Sequence, residues 1–124
     1  MFRVRVEAEF AAAHFLRDYN GKCENLHGHN YRVCAHFCGQ DLDAGGMLID
    51  FSFAKKLLQN AIEKFDHTNL NDVAVFEQNP SAERIAKALF DDMTASLNGA
   101  KAARAALCAV DVFETARSRA RYEK

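Results

Sequence analysis

The chain has 124 residues, of which 49% are hydrophobic and 27% are charged, and its formal net charge is -1. This length and composition suit one folded domain, 1–124, with a single core, and they exclude a disordered chain. The near-neutral charge excludes a broad basic surface for nucleic acid, and no stretch approaches the roughly 18 apolar residues of a membrane span.

No leader-like apolar segment with a cleavage site follows Met1. We therefore expect a cytoplasmic protein with no membrane partner, whose four cysteines are reduced thiols. Cys34, Cys38 and Cys108 fall inside strand-like segments, so we expect them to serve only as packing residues.

Alternation of apolar and charged residues marks the first predicted strand, residues 2–10. Residues 29–38 alternate in the same way and predict a second strand. A helix is predicted over about residues 52–65, where apolar residues recur at the spacing of one helical face.

A polar connector, DHTNLND, separates this helix from a second one. Asn79 is the expected N-cap of the second helix, with Pro80 at its first position, and Asn98 and Gly99 end it. Its predicted apolar stripe is Ile85, Leu89 and Met93.

Residues 105–114 and 117–122 return to a strand pattern and predict a closing hairpin. Strands at both ends of the chain around two helices are typical of an α+β fold. We expect an antiparallel four-stranded sheet with two helices on one face.

Three histidines are candidates for a metal site. His27 and His29 share a strand face if the second strand begins early enough, because residues two apart point the same way. His14 matches the apolar face of the first strand if that strand continues past residue 10. Three histidines with an open fourth position are typical of catalytic zinc, although a His-x-His pair alone also fits ordinary surface or core histidines. His36 has the opposite parity and is expected to face away.

Further residues have two readings each. Cys23 is either a small apolar filler or a thiol made reactive by a nearby metal, imidazole or cation. Asp66 and His67 are either a helix-end cap or a proton relay. Glu114 ends an apolar row on one strand face, so it either turns to solvent or binds a ligand that presents two N–H donors.

A set of motifs spread over nearly the whole chain resembles one superfamily, that of 6-pyruvoyltetrahydropterin synthase and 6-carboxytetrahydropterin synthase. The motifs, in chain order, are EFAAAH, CENLHGHNY, DFSFAK, DHTNLND, NPSAE and FET. The resemblance implies the tunnelling fold (T-fold), in which subunits join their sheets into a trimeric barrel and two trimers form a hexamer. It also implies active sites between subunits.

The resemblance also implies roles for individual residues. The metal ligands, for Zn²⁺, would be His14, His27 and His29. The catalytic residues would be Cys23, Asp66 and His67. Glu114 would anchor the pterin ring, and Ser81 lies where the family has a hydroxyl contact to it.

The implied substrate is 7,8-dihydroneopterin triphosphate. The three-residue gap between Cys23 and His27 resembles the type that forms 6-carboxy-5,6,7,8-tetrahydropterin for 7-deazaguanine and queuosine biosynthesis. Glu24 creates Glu-x-x-His-Gly-His, which resembles the branch that forms 6-hydroxymethyldihydropterin, and a pyruvoyl product is a further alternative. A non-catalytic, zinc-stabilised pterin-binding module is the alternative from another class. Candidate cations for the triphosphate are Lys22, Arg17, Arg117, Arg119 and Arg121.

Overall fold

The structure is a computed structural model that describes residues 1–18, 21, 24–100 and 104–124. Its strands and helices, in chain order, are β1 (Phe2–His14), β2 (His27–Gly39), α1 (Phe51–Glu63), β3 (Thr68–Asn69), α2 (Ala82–Gly99), β4 (Ala106–Thr115) and β5 (Ser118–Glu123). Two short 3-10 turns, Leu70–Asp72 and Ala74–Phe76, connect β3 to α2.

One sheet contains all five of these strands, in the order β3-β1-β2-β4-β5. The four long strands are antiparallel to their neighbours, which confirms the predicted α+β fold with two helices on an antiparallel sheet. The predicted count of four strands misses β3, which pairs in parallel with β1 at Ala12 and Ala13. Two residues are too few to show a period, so nothing in the connector's sequence pattern marks this strand.

The two long strands of the first hairpin extend as far as the metal-site prediction requires. β1 runs on to His14 and β2 begins at His27, and these two residues are paired in the ladder. The alternation of side chains is therefore continuous from the core to the loop end of the hairpin.

The second helix begins later than predicted. Ser81, not Asn79, is the N-cap of α2, and its hydroxyl accepts a hydrogen bond from the Arg84 N–H at 3.3 Å. The side-chain amide of Asn79 is instead bound to the backbone of Arg17. α1 has an equivalent cap in Asp50, whose carboxylate accepts from the Ser52 N–H at 2.7 Å.

The core lies between the helices and one face of the sheet. Leu58 and Ile62 of α1 are fully buried, as are Ile85 and Leu89 of the predicted stripe. Each such side chain contributes roughly 1.5–3 kcal/mol through its burial. No helix within the described ranges is long and apolar enough to cross a membrane.

The opposite face of the sheet is polar, and His36 lies there, as its parity predicted. Its Nε2 lies 2.7 Å from Oδ2 of Asp111. The expectation that the cysteines only pack as reduced thiols is wrong for one pair, because Cys38 and Cys108 form a disulfide between β2 and β4. Cys34 is a buried free thiol, and burial raises its pKa, so it stays protonated.

Candidate active site

The three predicted ligands converge at the loop end of the β1–β2 hairpin. One potential ligand atom from each of His14, His27 and His29 lies within 4.8 Å of the other two. His14 is fully buried, and the other two are partly buried. The strand pairing of His14 with His27, and the two-residue period of β2, place all three rings on the core side of the sheet.

Backbone carbonyls fix the tautomer of two of these rings. Nδ1 of His14 lies 2.9 Å from the Pro80 carbonyl oxygen, and Nδ1 of His27 lies 2.6 Å from that of Asn25. A carbonyl only accepts, so each Nδ1 carries a proton, and in the neutral form of each ring the Nε2 lone pair is directed into the site. The two Nε2 atoms are 3.0 Å apart. In that form the two lone pairs repel at this distance, and a cation between them removes the conflict, so the residues fit a bound metal.

His29 completes the group with a nitrogen that has no hydrogen bond. Its Nε2 is buried and makes no hydrogen bond with any part of the described chain. Burial lowers the pKa of His29, and the neighbouring His14 and His27 lower it further, against an opposing effect of Glu114. The ring is therefore neutral at neutral pH, which is the form that binds a metal.

Glu114 lies directly beside this group. Its Oε1 is 3.3 Å from Nε2 of His29, and its Oε2 is 3.6 Å from Nε2 of His14. The side chain is 25% exposed, so it is neither a solvated strand-end residue nor fully enclosed. Glu114 thus lies at the end of the site that contains the three histidines.

The Asp66–His67 pair lies at the edge of the sheet and is hydrogen-bonded to the backbone of β1. Oδ1 of Asp66 accepts from the Ala11 N–H at 2.9 Å, and the His67 N–H donates to the Ala11 carbonyl at 2.6 Å. The Ala11 N–H, followed by His67, lowers the pKa of Asp66, which is therefore ionised beside Nδ1 of His67 at 3.0 Å. His67 is held in the left-handed region at φ 59°, and its side chain is 83% exposed.

A cleft of about 190 Å³ opens beside Glu114 and contains the predicted Ser81. Glu83 and Arg119 also line it. Glu83 was missed by the sequence reasoning, although NPSAE places a carboxylate two residues after the cap of α2. Arg119 is one of the cations that the sequence predicts for the triphosphate.

Two side-chain amides hold the backbone that follows β1, and neither was predicted to do so. Asn71 accepts from the Phe15 N–H and donates to its carbonyl, both at 2.9 Å. Asn79 does the same for Arg17, at 3.2 and 3.4 Å. These amides replace a neighbouring strand for the segment that leads towards Cys23. Cys23 itself, and Lys22, lie outside the described residues.

Comparison with solved structures defines the class of protein. The chain is similar to the 6-pyruvoyl tetrahydropterin synthase of Caenorhabditis elegans, with a TM-score of 0.86, 26% identity and coverage of 99% of this chain and 95% of the other. It is also similar to the Plasmodium falciparum 6-pyruvoyl tetrahydropterin synthase, with a TM-score of 0.70, 26% identity and coverage of 99% and 97%. The fold is therefore the T-fold.

Comparison of sequences gives the family. The 6-pyruvoyl tetrahydropterin synthase family profile matches residues 3–124. The 6-carboxy-5,6,7,8-tetrahydropterin synthase of Synechocystis is 35% identical over 98% of this chain and 93% of its own length. The enzyme of that name from Bacillus subtilis is 37% identical over 78% and 68%. The chain belongs to the 6-pyruvoyl tetrahydropterin synthase family, and it is an enzyme that acts on pterins.

Proposed function

We propose that the protein is a zinc-dependent lyase that converts 7,8-dihydroneopterin triphosphate to 6-carboxy-5,6,7,8-tetrahydropterin, for 7-deazaguanine and queuosine biosynthesis. One observation carries the proposal. Nδ1 of His14 and Nδ1 of His27 are each bound to a backbone carbonyl, and the Nε2 atoms of the same two rings lie 3.0 Å apart beside His29. The relatives named 6-carboxy-5,6,7,8-tetrahydropterin synthase support the choice of product.

The protein side chains supply the proton transfers. Zinc held by the three histidines would act as a Lewis acid towards the oxygens of the substrate side chain. The Cys23 thiolate removes the proton from the carbon next to those oxygens. His67, oriented by ionised Asp66, accepts and returns protons as the side chain is cleaved.

Two carboxylates are available to the pterin. The 2-amino group and N3–H lie at the opposite end of the fused ring from the side chain whose oxygens approach the metal ligands. Because Glu114 is within 3.6 Å of two of those ligands, it lies at the side-chain end. We therefore propose that Glu83 and the Ser81 hydroxyl bind the far edge of the pterin ring across the cleft that they share with Glu114. In this proposal Glu83, rather than Glu114, is the residue that anchors the pterin.

The triphosphate requires cations near the same cleft. Arg119 lines it and lies 3.7 Å from Asp111, which Arg121 already binds through two hydrogen bonds. We propose Arg119 as the phosphate-binding residue of the arginine strand, with Arg17 as the second candidate.

We further propose that the protein assembles into a ring by joining sheet edges. Within the described ranges, residues 2–10 of β1 pair only with β2, and β5 pairs only with β4, so both sheet edges are open. Residues that pair from strand to strand form rows across the four long strands. One row begins at Glu9 on β1 and ends at Arg119 on β5, and another begins at Glu7 and ends at Arg121. Edge-to-edge contact that continues these rows places a β1 carboxylate beside a β5 guanidinium of the next copy. Such an assembly also brings the exposed His67 of one copy towards a neighbour.

Mass spectrometry of the products tests the proposal. Zinc-loaded protein is incubated with 7,8-dihydroneopterin triphosphate, and we expect that one water is consumed and that 6-carboxytetrahydropterin, acetaldehyde and inorganic triphosphate are released. Cys23→Ala should abolish turnover, whereas Glu24→Gln, next to it and exposed, should retain it. The opposite pattern, with a hydroxymethyl product, would assign the protein to the folate-type branch. Folded, metal-loaded protein that gives no product would leave a non-catalytic pterin-binding module.

A further inference from the structure

We infer that Asn71 is a positioning residue for the pterin, because it fixes the segment that carries Ser81 and Glu83 against the end of β1. This segment, residues 78–83, is called the pterin segment below. The inference rests on the proposed function, in which those two side chains bind the far edge of the pterin ring. Asn71 does not contact the pterin in this proposal; it acts through the backbone of the pterin segment.

The side chain of Asn71 is bound to the backbone of two segments that are distant from each other in the chain. Its Oδ1 accepts from the Phe15 N–H at 2.9 Å, and its Nδ2 donates to the Phe15 carbonyl at 2.9 Å. Nδ2 also donates to the Gln78 carbonyl at 3.1 Å. A primary amide has one oxygen and two N–H donors, so all of its polar groups are used. One planar group therefore sets both the distance and the orientation between Phe15 and Gln78.

The backbone at the start of the pterin segment does not keep its conformation by local preference. Glu77 and Gln78 both lie in the left-handed region, at φ 50° and φ 63°. A residue with a Cβ disfavours this region, so two in succession require stabilising contacts from elsewhere. The hydrogen bond from Asn71 to the Gln78 carbonyl is such a contact. Without it, we expect the backbone at Gln78 to leave the left-handed region and redirect the chain that follows.

The contacts that follow along the pterin segment connect its start to the site. The Asn79 amide binds the N–H and the carbonyl of Arg17, at 3.2 and 3.4 Å. The Pro80 carbonyl lies 2.9 Å from Nδ1 of His14, and Ser81 comes next. The pterin segment is therefore placed relative to the histidines by its own backbone. Because the pterin ring is rigid, a shift of this segment relative to the histidines weakens binding of the ring.

The neighbouring Asn69 has a local role that separates it from Asn71. Its side chain caps the first 3-10 turn by accepting from the Asn71 N–H at 3.1 Å. This hydrogen bond stays within the connector between α1 and α2, whereas the Asn71 side chain reaches 56 residues back along the chain to Phe15. Asn69 is therefore a matched control for the long-range contacts of Asn71.

Binding of neopterin tests this inference without turnover. Neopterin is a fluorescent pterin with no triphosphate to lose, and its Kd is measured by fluorescence titration of zinc-loaded wild type, Asn71→Ala and Asn69→Ala. We expect Asn71→Ala to raise the Kd at least about fivefold, which is the scale of one lost hydrogen bond. Asn69→Ala removes a hydrogen bond from the same connector and should leave the Kd unchanged. Circular dichroism checks that each variant is folded, and Asn71→Ser, which keeps a hydroxyl, is the second variant should the alanine variant not fold.

Gln78→Gly separates positioning from a general loss of stability. Glycine adopts the left-handed region readily, so this variant keeps the turn without the hydrogen bond from Asn71. Added to Asn71→Ala, it should restore most of the lost affinity for neopterin, which a merely structural role of Asn71 does not predict. Wild-type affinity in folded Asn71→Ala, an equal loss in Asn69→Ala, or a double variant that binds no tighter than Asn71→Ala would each overturn the inference.

Product analysis of the same proteins distinguishes this inference from the proposed function. If the wild type forms product and the Asn71 variant binds neopterin equally well, the lyase stands and the positioning role is refuted. If the expected order of affinities is found in a protein that forms no product, the positioning role stands and the lyase is refuted.

Discussion

Asp111 is the most strongly bound carboxylate on the polar face of the sheet, and its removal is our principal stability prediction. It is 2% exposed and accepts hydrogen bonds from Nε and Nη2 of Arg121 at 2.7 and 2.9 Å. His36 binds its second side at 2.7 Å. These bonds join β5 to β4 and β2. Asp111→Ala therefore removes the carboxylate that binds His36, and among the described residues it leaves Arg121 only its 3.5 Å ion pair with Glu123.

The expected cost follows from these contacts. Removing one partner of a fully buried ion pair costs about 3–5 kcal/mol. The Arg121 side chain is 35% exposed, so water partly solvates its freed guanidinium. We therefore expect Asp111→Ala to lower the free energy of unfolding by about 2–3 kcal/mol, which corresponds to roughly one or two charge-assisted hydrogen bonds.

Urea denaturation at one fixed protein concentration measures this difference, because assembly would otherwise contribute to stability. A double-mutant cycle with Arg121→Ala isolates the pairwise coupling. Asp91→Ala is the matched control. Its side chain is 49% exposed and, among the described residues, forms an ion pair only with Lys87 one turn away, so its expected cost is under about 0.5 kcal/mol. If the Asp111 and Asp91 variants lose equally little, the buried pair does not stabilise the sheet as described.

Three further predictions concern pH, the second helix and assembly. Burial raises the pKa of Asp111, but the hydrogen bonds from Arg121 and His36 outweigh this effect and lower the pKa. The stability that ionised Asp111 contributes is therefore fully present above about pH 3.9, the pKa of an unfolded Asp, and is lost as the pH falls through the lower folded-state pKa. The free energies of unfolding of the wild type and Asp111→Ala, measured in urea, should therefore converge as the pH falls below that value. Ser81→Ala should lower the free energy of unfolding by about 1 kcal/mol through loss of the α2 cap, and it should also weaken pterin binding in a fluorescence titration. Asp50→Ala, which removes the cap of α1, should lower the free energy of unfolding by a similar amount without affecting pterin binding. Glu9→Arg should reduce the assembled fraction in sedimentation, and adding Arg119→Glu should restore it; a double variant no better assembled than the single one would reject the proposed row register.

Periodicity predicts the long elements and the ligand set because both depend on side-chain direction. Parity alone placed His14, His27 and His29 on one face and His36 on the other, and the structure agrees. The same logic failed where contacts are non-local. The disulfide between Cys38 and Cys108 depends on how two strands align, which neither segment encodes alone.

The misplaced cap of α2 shows how a distant contact overrides local preference. Asn79 before Pro80 is a strong local start signal, yet its amide binds the backbone of Arg17, 62 residues away. Ser81 then provides the cap. β3 and the binding of Asp66 to Ala11 arise in the same way, from segments brought together only in the folded chain.

The amides of Asn71 and Asn79 have a consequence for how this enzyme can diverge. Because they hold Phe15 and Arg17 from outside the sheet, the β1–β2 ladder can end at the His14–His27 pair without loosening the metal ligands. The connection between those two histidines is thus modular. Its length can change while the His14–His27 pair and the fold persist, so this one loop can diverge independently of the strands.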